Sequence, residues 1–241
     1  DGIRHVKDAA PDGHTLLLFH VAFLTASAMG VIEFGPDQFV PVSETGGSCL
    51  LYAVKSDTPY QSLKEWIDAA KARPNTIRDA TNIGAIPHFS SLMLSRAADM
   101  RLRYVQAGGG PARLAMVIGG HAEGSIFAVP EYQNFKASGI RALALLAPER
   151  DPVVPEVPTA RELGLDVVSC VDNWWWMPRG TNPARVAAIA DVLQKVMADP
   201  AVRSAISNRG QRPTFLRDAE LTQKIDRTFS LIKETSATIS R

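Results

Sequence analysis

Thr81-Asn-Ile-Gly-Ala-Ile-Pro-His88 is the stretch from which the rest of the chain can be read. Small residues, a glycine and a histidine crowd a place where a strand ends and a helix begins. A helix start carries unsatisfied N–H donors and the positive end of the macrodipole, so a compact loop in front of one makes a seat for a carboxylate or phosphate. Thr81, Asn82, Gly84, Ala85 and His88 are the candidate ligand contacts there. Two roles stand open for His88 at the first helical turn: donation to an anion, or satisfaction of a loop carbonyl.

Further along, Gly108-Gly-Gly-Pro-Ala112 leads into another helix. Successive backbone N–H groups at Gly108, Gly109 and Gly110 can form a concave anion nest, or the segment is an ordinary tight turn between strand and helix. Its spacing matches neither the dinucleotide fingerprint nor the P-loop.

Around these junctions the pattern alternates. Apolar runs at 15–19, 48–54, 102–105, 125–128 and 140–147 read as strands. Helices are expected at 63–72, 89–98, 113–118 and 130–137, with a short one at 159–163. The first of these starts with Ser62-Leu-Lys-Glu65, which has the form of a capping box. Beyond Pro183 the chain reads as helical throughout, at 183–197, 200–208 and 218–238. Strand alternating with helix predicts an α/β fold with a largely parallel sheet. The run at 15–19 looks like a strand covered on both faces, which rarely opens a doubly wound sheet. The chain is therefore expected to begin partway into a domain.

Among 241 residues, 46% are apolar and 21% charged, the proportions of a globular protein with one large or two modest domains. With 26 basic and 25 acidic side chains the net charge is +1, which gives no electrostatic footprint for nucleic acid. The longest apolar runs are too short to span a bilayer. Asp1 opens without the charged and apolar regions of a signal peptide, a property that mature secreted and cytosolic proteins share. Cys49 and Cys170 lie far apart and in no metal-ligand spacing. They are read as two buried thiols, with pairing in an oxidising compartment as the alternative.

Catalytic patterns are weak. The five histidines make no zinc motif, and Gly46-Gly-Ser-Cys49 fails as a nucleophile elbow because position 50 is leucine. Carboxylates are scattered, and solvated surface charge is the expectation for them. In the extended run Trp174-Trp-Trp176, alternate rings face opposite ways. Trp174 and Trp176 share one face, which lines either a ligand cleft or the core.

Several segments nevertheless fall in one order: Pro11-Asp-Gly-His-Thr-Leu-Leu-Leu18, Gly84-x-x-x-His88, Gly108-Gly-Gly-Pro-Ala112, Gly139-Ile-Arg-Ala-Leu-Ala144, Val157-Pro-Thr159 and Trp176-Met-Pro-Arg-Gly-Thr181. Together with Phe39-Val-Pro-Val42 and Gly119-Gly-His121 they resemble the substrate-binding receptors of tripartite tricarboxylate transporters, also called Bug-type receptors. The resemblance runs along nearly the whole chain.

It implies a two-lobed periplasmic-binding-protein fold of type II, with parallel-rich sheets and crossing strands at the hinge. Lobe 1 would comprise 1–52 and 172–241, and lobe 2 would comprise 53–171. The crossing strands, 48–54 and 166–177, would bring both cysteines and the tryptophans near the hinge. The resemblance further implies that 82–88 and 108–112 are the ligand loops of lobe 2, and that His20 and Val21 contact ligand from lobe 1. Phe127 and Trp174 complete the candidate set. Two departures stand out: Ala85 replaces a serine common in the family, and Gln106-Ala107 replaces an aromatic. The family's first glycine-rich loop would lie before Asp1.

The function expected is that of a non-catalytic periplasmic receptor, acting as a monomer without cofactor or metal. It would deliver a small organic carboxylate to a membrane permease. The rival is an α/β enzyme acting on a phosphorylated or carboxylated metabolite, with His88 or His20 as acid and base. A third reading is a receptor-like domain that has lost its ligand and signals through partners.

Overall fold

The computed structural model describes residues 2–239. In chain order these form α1 (Gly2–Lys7), β1 (Leu17–His20), α2 (Ala22–Ala28), β2 (Phe39–Lys55), α3 (Leu63–Ala72), β3 (Arg78–Thr81) and α4 (Ile86–Ala97). Then follow β4 (Arg103–Gln106), α5 (Gly110–Ile118), β5 (Gly124–Ala128), α6 (Val129–Phe135), β6 (Ile140–Leu146), β7 (Cys170–Pro178), α7 (Pro183–Ala198), α8 (Pro200–Ser207), β8 (Arg212–Leu216) and α9 (Asp218–Ile239). The chain forms two compact units, Asp1–Gly47 with Val171–Arg241, and Ser48–Cys170. The boundary falls inside β2 and β7, two strands that each belong partly to both units.

In the first unit β1 runs antiparallel to β7, from Leu17↔Trp176 to His20↔Asn173. β7 lies beside β2, and β8 pairs antiparallel with β2 between Glu44↔Leu216 and Gly47↔Arg212. Trp174 and Trp176 share a face, their rings 5.9 Å apart, as the alternation of an extended strand requires. Trp176 packs edge-on against Phe23, which packs edge-on against Phe39. Trp175 takes the opposite face with Val42, Met177 and Ala190. The tryptophan run is therefore core on both faces, and each fully buried ring of this kind contributes about 1.5–3 kcal/mol.

In the second unit the end of β2 is flanked by β5 and β6, both antiparallel to it. β3 lies between β5 and β4 and is parallel to each. Leu51, Ala53, Phe127, Val129 and Leu145 anchor its core. Helix α3 starts as its sequence dictates: Ser62 Oγ accepts the Glu65 N–H, the Glu65 carboxylate accepts the Ser62 N–H, and Leu63, Trp66 and Ala70 turn inward.

Several expectations are corrected. The sheets are mixed rather than parallel-rich, because β2 enters antiparallel to both of its neighbours in the second unit. β1 is not a doubly covered parallel strand: its neighbour β7 is antiparallel and Leu18 is 49% exposed. β2 begins at Phe39, nine residues before the apolar run at 48–54. The pair Gly46-Gly47 disguised this. Gly46 has φ +84° at a break in register with β8, and a Cβ on Gly47 would come within 2.6 Å of the Val171 carbonyl oxygen. The glycines mark a bulge and a close strand crossing, not a strand end. β8 was missed within the stretch read as all helical, and 160–164 forms turns rather than a helix.

The cysteines are also corrected. Cys49 and Cys170 form a disulfide, closing 121 residues of sequence. The Leu50 N–H donates to the Ser169 carbonyl at 2.9 Å, so the two segments are already adjacent where the cysteines sit. Closing so long a loop stabilises by roughly 4–5 kcal/mol in the chain-entropy account. Among the described residues no helix is long and apolar enough to cross a membrane.

Candidate functional site

β3 and β4 are parallel neighbours in register, Thr81 opposite Gln106. Each is followed by a loop and a helix, so the two glycine-bearing junctions emerge side by side from the carboxyl ends of the strands, where ligands bind in open α/β sheets. The Ala107 N–H donates to the Thr81 carbonyl at 2.7 Å and carries the pairing one step past the strands.

The first junction has most of its donors taken by protein acceptors. The Ile83 N–H donates to Gln106 Oε1 (2.8 Å), the Gly84 N–H to His88 Nδ1 (3.2 Å) and the Ala85 N–H to the Asn82 carbonyl (2.9 Å). Gly84 has φ +81°, which turns its N–H back onto the imidazole and strains any residue bearing a Cβ. Pro87 at the start of α4 has no N–H to offer. Among the described residues the N–H groups of Ile86 and His88 have no protein acceptor.

His88 accepts the Gly84 N–H through Nδ1 and donates to no loop carbonyl among the described residues. It is buried, and burial lowers its pKa, so the ring is neutral. Nδ1 accepts, so the proton resides on Nε2. The ring packs edge-on against Tyr104, centroids 4.7 Å apart.

The second junction is held from behind. Arg113 is buried in the first turn of α5, and its Nη1 donates to the Gly108 carbonyl at 2.9 Å. Its Nε donates to the Ile126 carbonyl, Nη2 meets Glu131 at 3.3 Å, and the guanidinium lies over the Phe127 ring. With the Gly108 carbonyl pinned inward, the N–H groups of Gly108, Gly109, Gly110 and Ala112 have no acceptor among the described residues. Two helix starts with free donors thus stand next to each other, an arrangement suited to an anion with more than one oxygen.

Of the candidate residues, the structure brings Asn82, Gly84, Ala85, His88, Gly108, Gly109 and Gly110 together at these two junctions. Thr81 is wholly buried, its hydroxyl without a partner and its carbonyl used by Ala107. Phe127 lies in the core under Arg113. In the other unit His20 and Val21 sit at the turn from β1 into α2. There His20 Nδ1 accepts the Ala22 N–H (3.2 Å), its pKa lowered by burial, and Val21 is buried. Trp174 is buried in that unit's core, its Nε1–H donating to Glu44. Among the described residues no group of His, Cys, Asp and Glu is arranged to hold a metal.

Two residues that shape the site were not among the candidates. Arg113 carried a signal, a lone basic residue four positions before buried Val117 on an otherwise apolar helix. Gln106 was visible only as a departure from an aromatic.

The family model described as tripartite tricarboxylate transporter family receptor matches residues 2–236. The chain belongs to this family. It is 26% identical over 250 residues to protein BugT of Bordetella pertussis, a match covering 98% of the chain and 76% of BugT. Among solved structures it resembles malate-bound MatC of Rhodopseudomonas palustris, at 25% identity and a TM-score of 0.76 over 97% of this chain and 83% of that one. It also superposes on a TctC solute-binding protein from Polaromonas, at 20% identity and a TM-score of 0.83 over 98% and 82% of the two chains. A second R. palustris protein, solved with adipate, has a TM-score of 0.83 at 18% identity over 98% and 82%. The fold is that of the periplasmic binding proteins, and the chain is a solute-binding receptor of the tripartite tricarboxylate type.

Proposed function

We propose that this receptor captures a small dicarboxylate in the periplasm and hands it to the membrane permease of its transporter, as a monomer and without catalysing a reaction. The observation that carries the reading is the pair of adjacent helix starts with free N–H donors at 86–88 and 108–112, in a chain whose relatives were solved with malate and adipate. Asn82, Gly84, Ala85, His88 and Gly108 to Gly110 are the proposed contacts, and His20 and Val21 are the proposed contribution of the other unit. The disulfide supports an oxidising compartment. Both histidines of the rival enzyme reading use Nδ1 to accept a backbone N–H, which supports a positioning role over a proton shuttle.

The test is calorimetric titration with malate, adipate, citrate, glutamate and benzoate. A dicarboxylate is expected to bind. At a hundred times its dissociation constant it should stabilise the fold by about 2.7 kcal/mol, read as a rise in Tm. The reading fails if none of the acids binds, or if any is chemically converted. His88→Ala should weaken binding about fivefold through the loop it props.

A further inference from the structure

The donors and acceptors around Gln106 form a chain with only one consistent direction. The Ile83 backbone N–H can only donate, so the amide oxygen of Gln106 must face it, at 2.8 Å. The Gln106 Nε2 then faces Asn82 and donates to its Oδ1 at 3.2 Å. Asn82 is left with its own NH2 turned away from Gln106. Gln106 is the last residue of β4, on the same face as Tyr104, whose ring props His88. One strand end thus supports the first junction at two points, by an aromatic edge and by an amide relay.

Building on the carboxylate reading above, we propose that Gln106 is a positioning residue that sets specificity: it polarises Asn82 so that the receptor presents a donor, not an acceptor, to the bound acid. An asparagine free to rotate offers either end of its amide. Fixed by Gln106, it favours an ionised carboxylate and disfavours ligands that bring a donor of their own, such as the corresponding amides.

Two readouts separate this proposal from the identity of the ligand. In side-chain amide NMR spectra without ligand, one Gln106 Nε2 proton should be protected from exchange, and both Asn82 Nδ2 protons should exchange freely. Gln106→Leu should remove the protection of the Ile83 amide by at least about tenfold. Protection on Asn82 instead of Gln106 overturns the relay. The second readout is a cycle titrated with malate and adipate. Gln106→Leu should weaken whichever acid binds by on the order of five- to tenfold, but by less than about half that factor in an Asn82→Ala background, where only the hold on Ile83 is lost. An equal loss in both backgrounds means that Gln106 acts through Ile83 or on the ligand and not through Asn82, and the proposal fails. If wild type binds neither acid, the functional reading fails, while the spectra still decide the relay.

Discussion

Each unit buries a carboxylate in its sheet, and the two do so in opposite ways. Glu44 on β2 is 1% exposed and fully occupied: it accepts from Trp174 Nε1 (3.0 Å), Thr214 Oγ1 (2.9 Å) and Lys224 Nζ (2.7 Å). Lys224 also meets Asp172 at 2.6 Å. Burial works against the Lys224 charge, yet Asp172 and Glu44 outweigh it and raise its pKa. Asp79 on β3 is 0% exposed and neither of its oxygens has a hydrogen-bond partner. Burial raises its pKa to about 7, against weaker opposing influences from Ser91, Tyr52 and Arg113. The Ser91 and Tyr52 hydroxyls lie close enough to hold the carboxyl down a little, without reaching hydrogen-bond geometry. One unit keeps its charge and pairs it; the other gives the charge up. The first solution rests on several donors gathered round a bridging lysine, whereas the second depends on pH and on no one partner.

The largest effect should come from Lys224→Met, which makes the first unit resemble the second. Glu44 and Asp172 would then share a buried site without the ammonium that bridges them, at a cost of roughly 3–5 kcal/mol. The Asp172 pKa is already raised, by burial and then by Glu44, so the loss should be smaller at pH 5 than at pH 8. Urea denaturation at the two pH values should show the loss growing with pH. A loss below about 1 kcal/mol at pH 8 would show that the pairing does not hold this sheet together.

Asp79→Asn is the reverse operation and should stabilise. An unfolded aspartate titrates near 3.9, so between about pH 4 and 7 the unfolded chain releases this proton while the folded chain retains it. Stability from the group is therefore complete at low pH and falls as pH rises, to a penalty of roughly 4 kcal/mol above pH 7. Asparagine removes that slope but must bury an extra donor, so a net gain of about 2 kcal/mol is expected at pH 8 and little or none at pH 4. Chemical denaturation across pH 4–8 checks it, and parallel curves for the two proteins would show that Asp79 does not titrate on unfolding.

Neither carboxylate was legible in the sequence, for a shared reason. Acidic residues are surface residues by default, and nothing local in Ser43-Glu-Thr45 or Arg78-Asp-Ala80 says that strands will close over both sides. What was legible is local. The capping box at Ser62 and Glu65 and the two glycine-bearing junctions are decided by neighbours within a few residues, and the structure places them close to where they were read. What failed depends on distant partners: Gly47 needs the crossing segment at Val171, Cys49 needs Cys170, and β8 needs β2. At the candidate site the loops could be read but not the supports, because Gln106 and Arg113 act through groups on other elements. Trp174 was singled out for the aromatic density of its run, and the structure assigns its ring, like that of Phe127, to a core.

Tyr52→Phe should have the smallest effect and asks most sharply whether Asp79 lacks a partner. The Tyr52 hydroxyl is buried without a hydrogen bond, and its pKa is raised well above normal by burial and then by Asp79. Removing an unpaired buried hydroxyl relieves a desolvation cost and breaks nothing, so at pH 5, where Asp79 is protonated, the variant should equal or exceed wild type by up to about 0.5 kcal/mol. Above pH 7 the ionised Asp79 would lose one of the dipoles that hold its pKa down, and the sign should reverse by a similar amount. The pH dependence of stability should therefore steepen slightly, with its upper limit moving above pH 7. A loss of more than about 1 kcal/mol at pH 5 would mean that Tyr52 and Asp79 share a formed hydrogen bond, and the two units would then bury their carboxylates in more similar ways than their geometry shows.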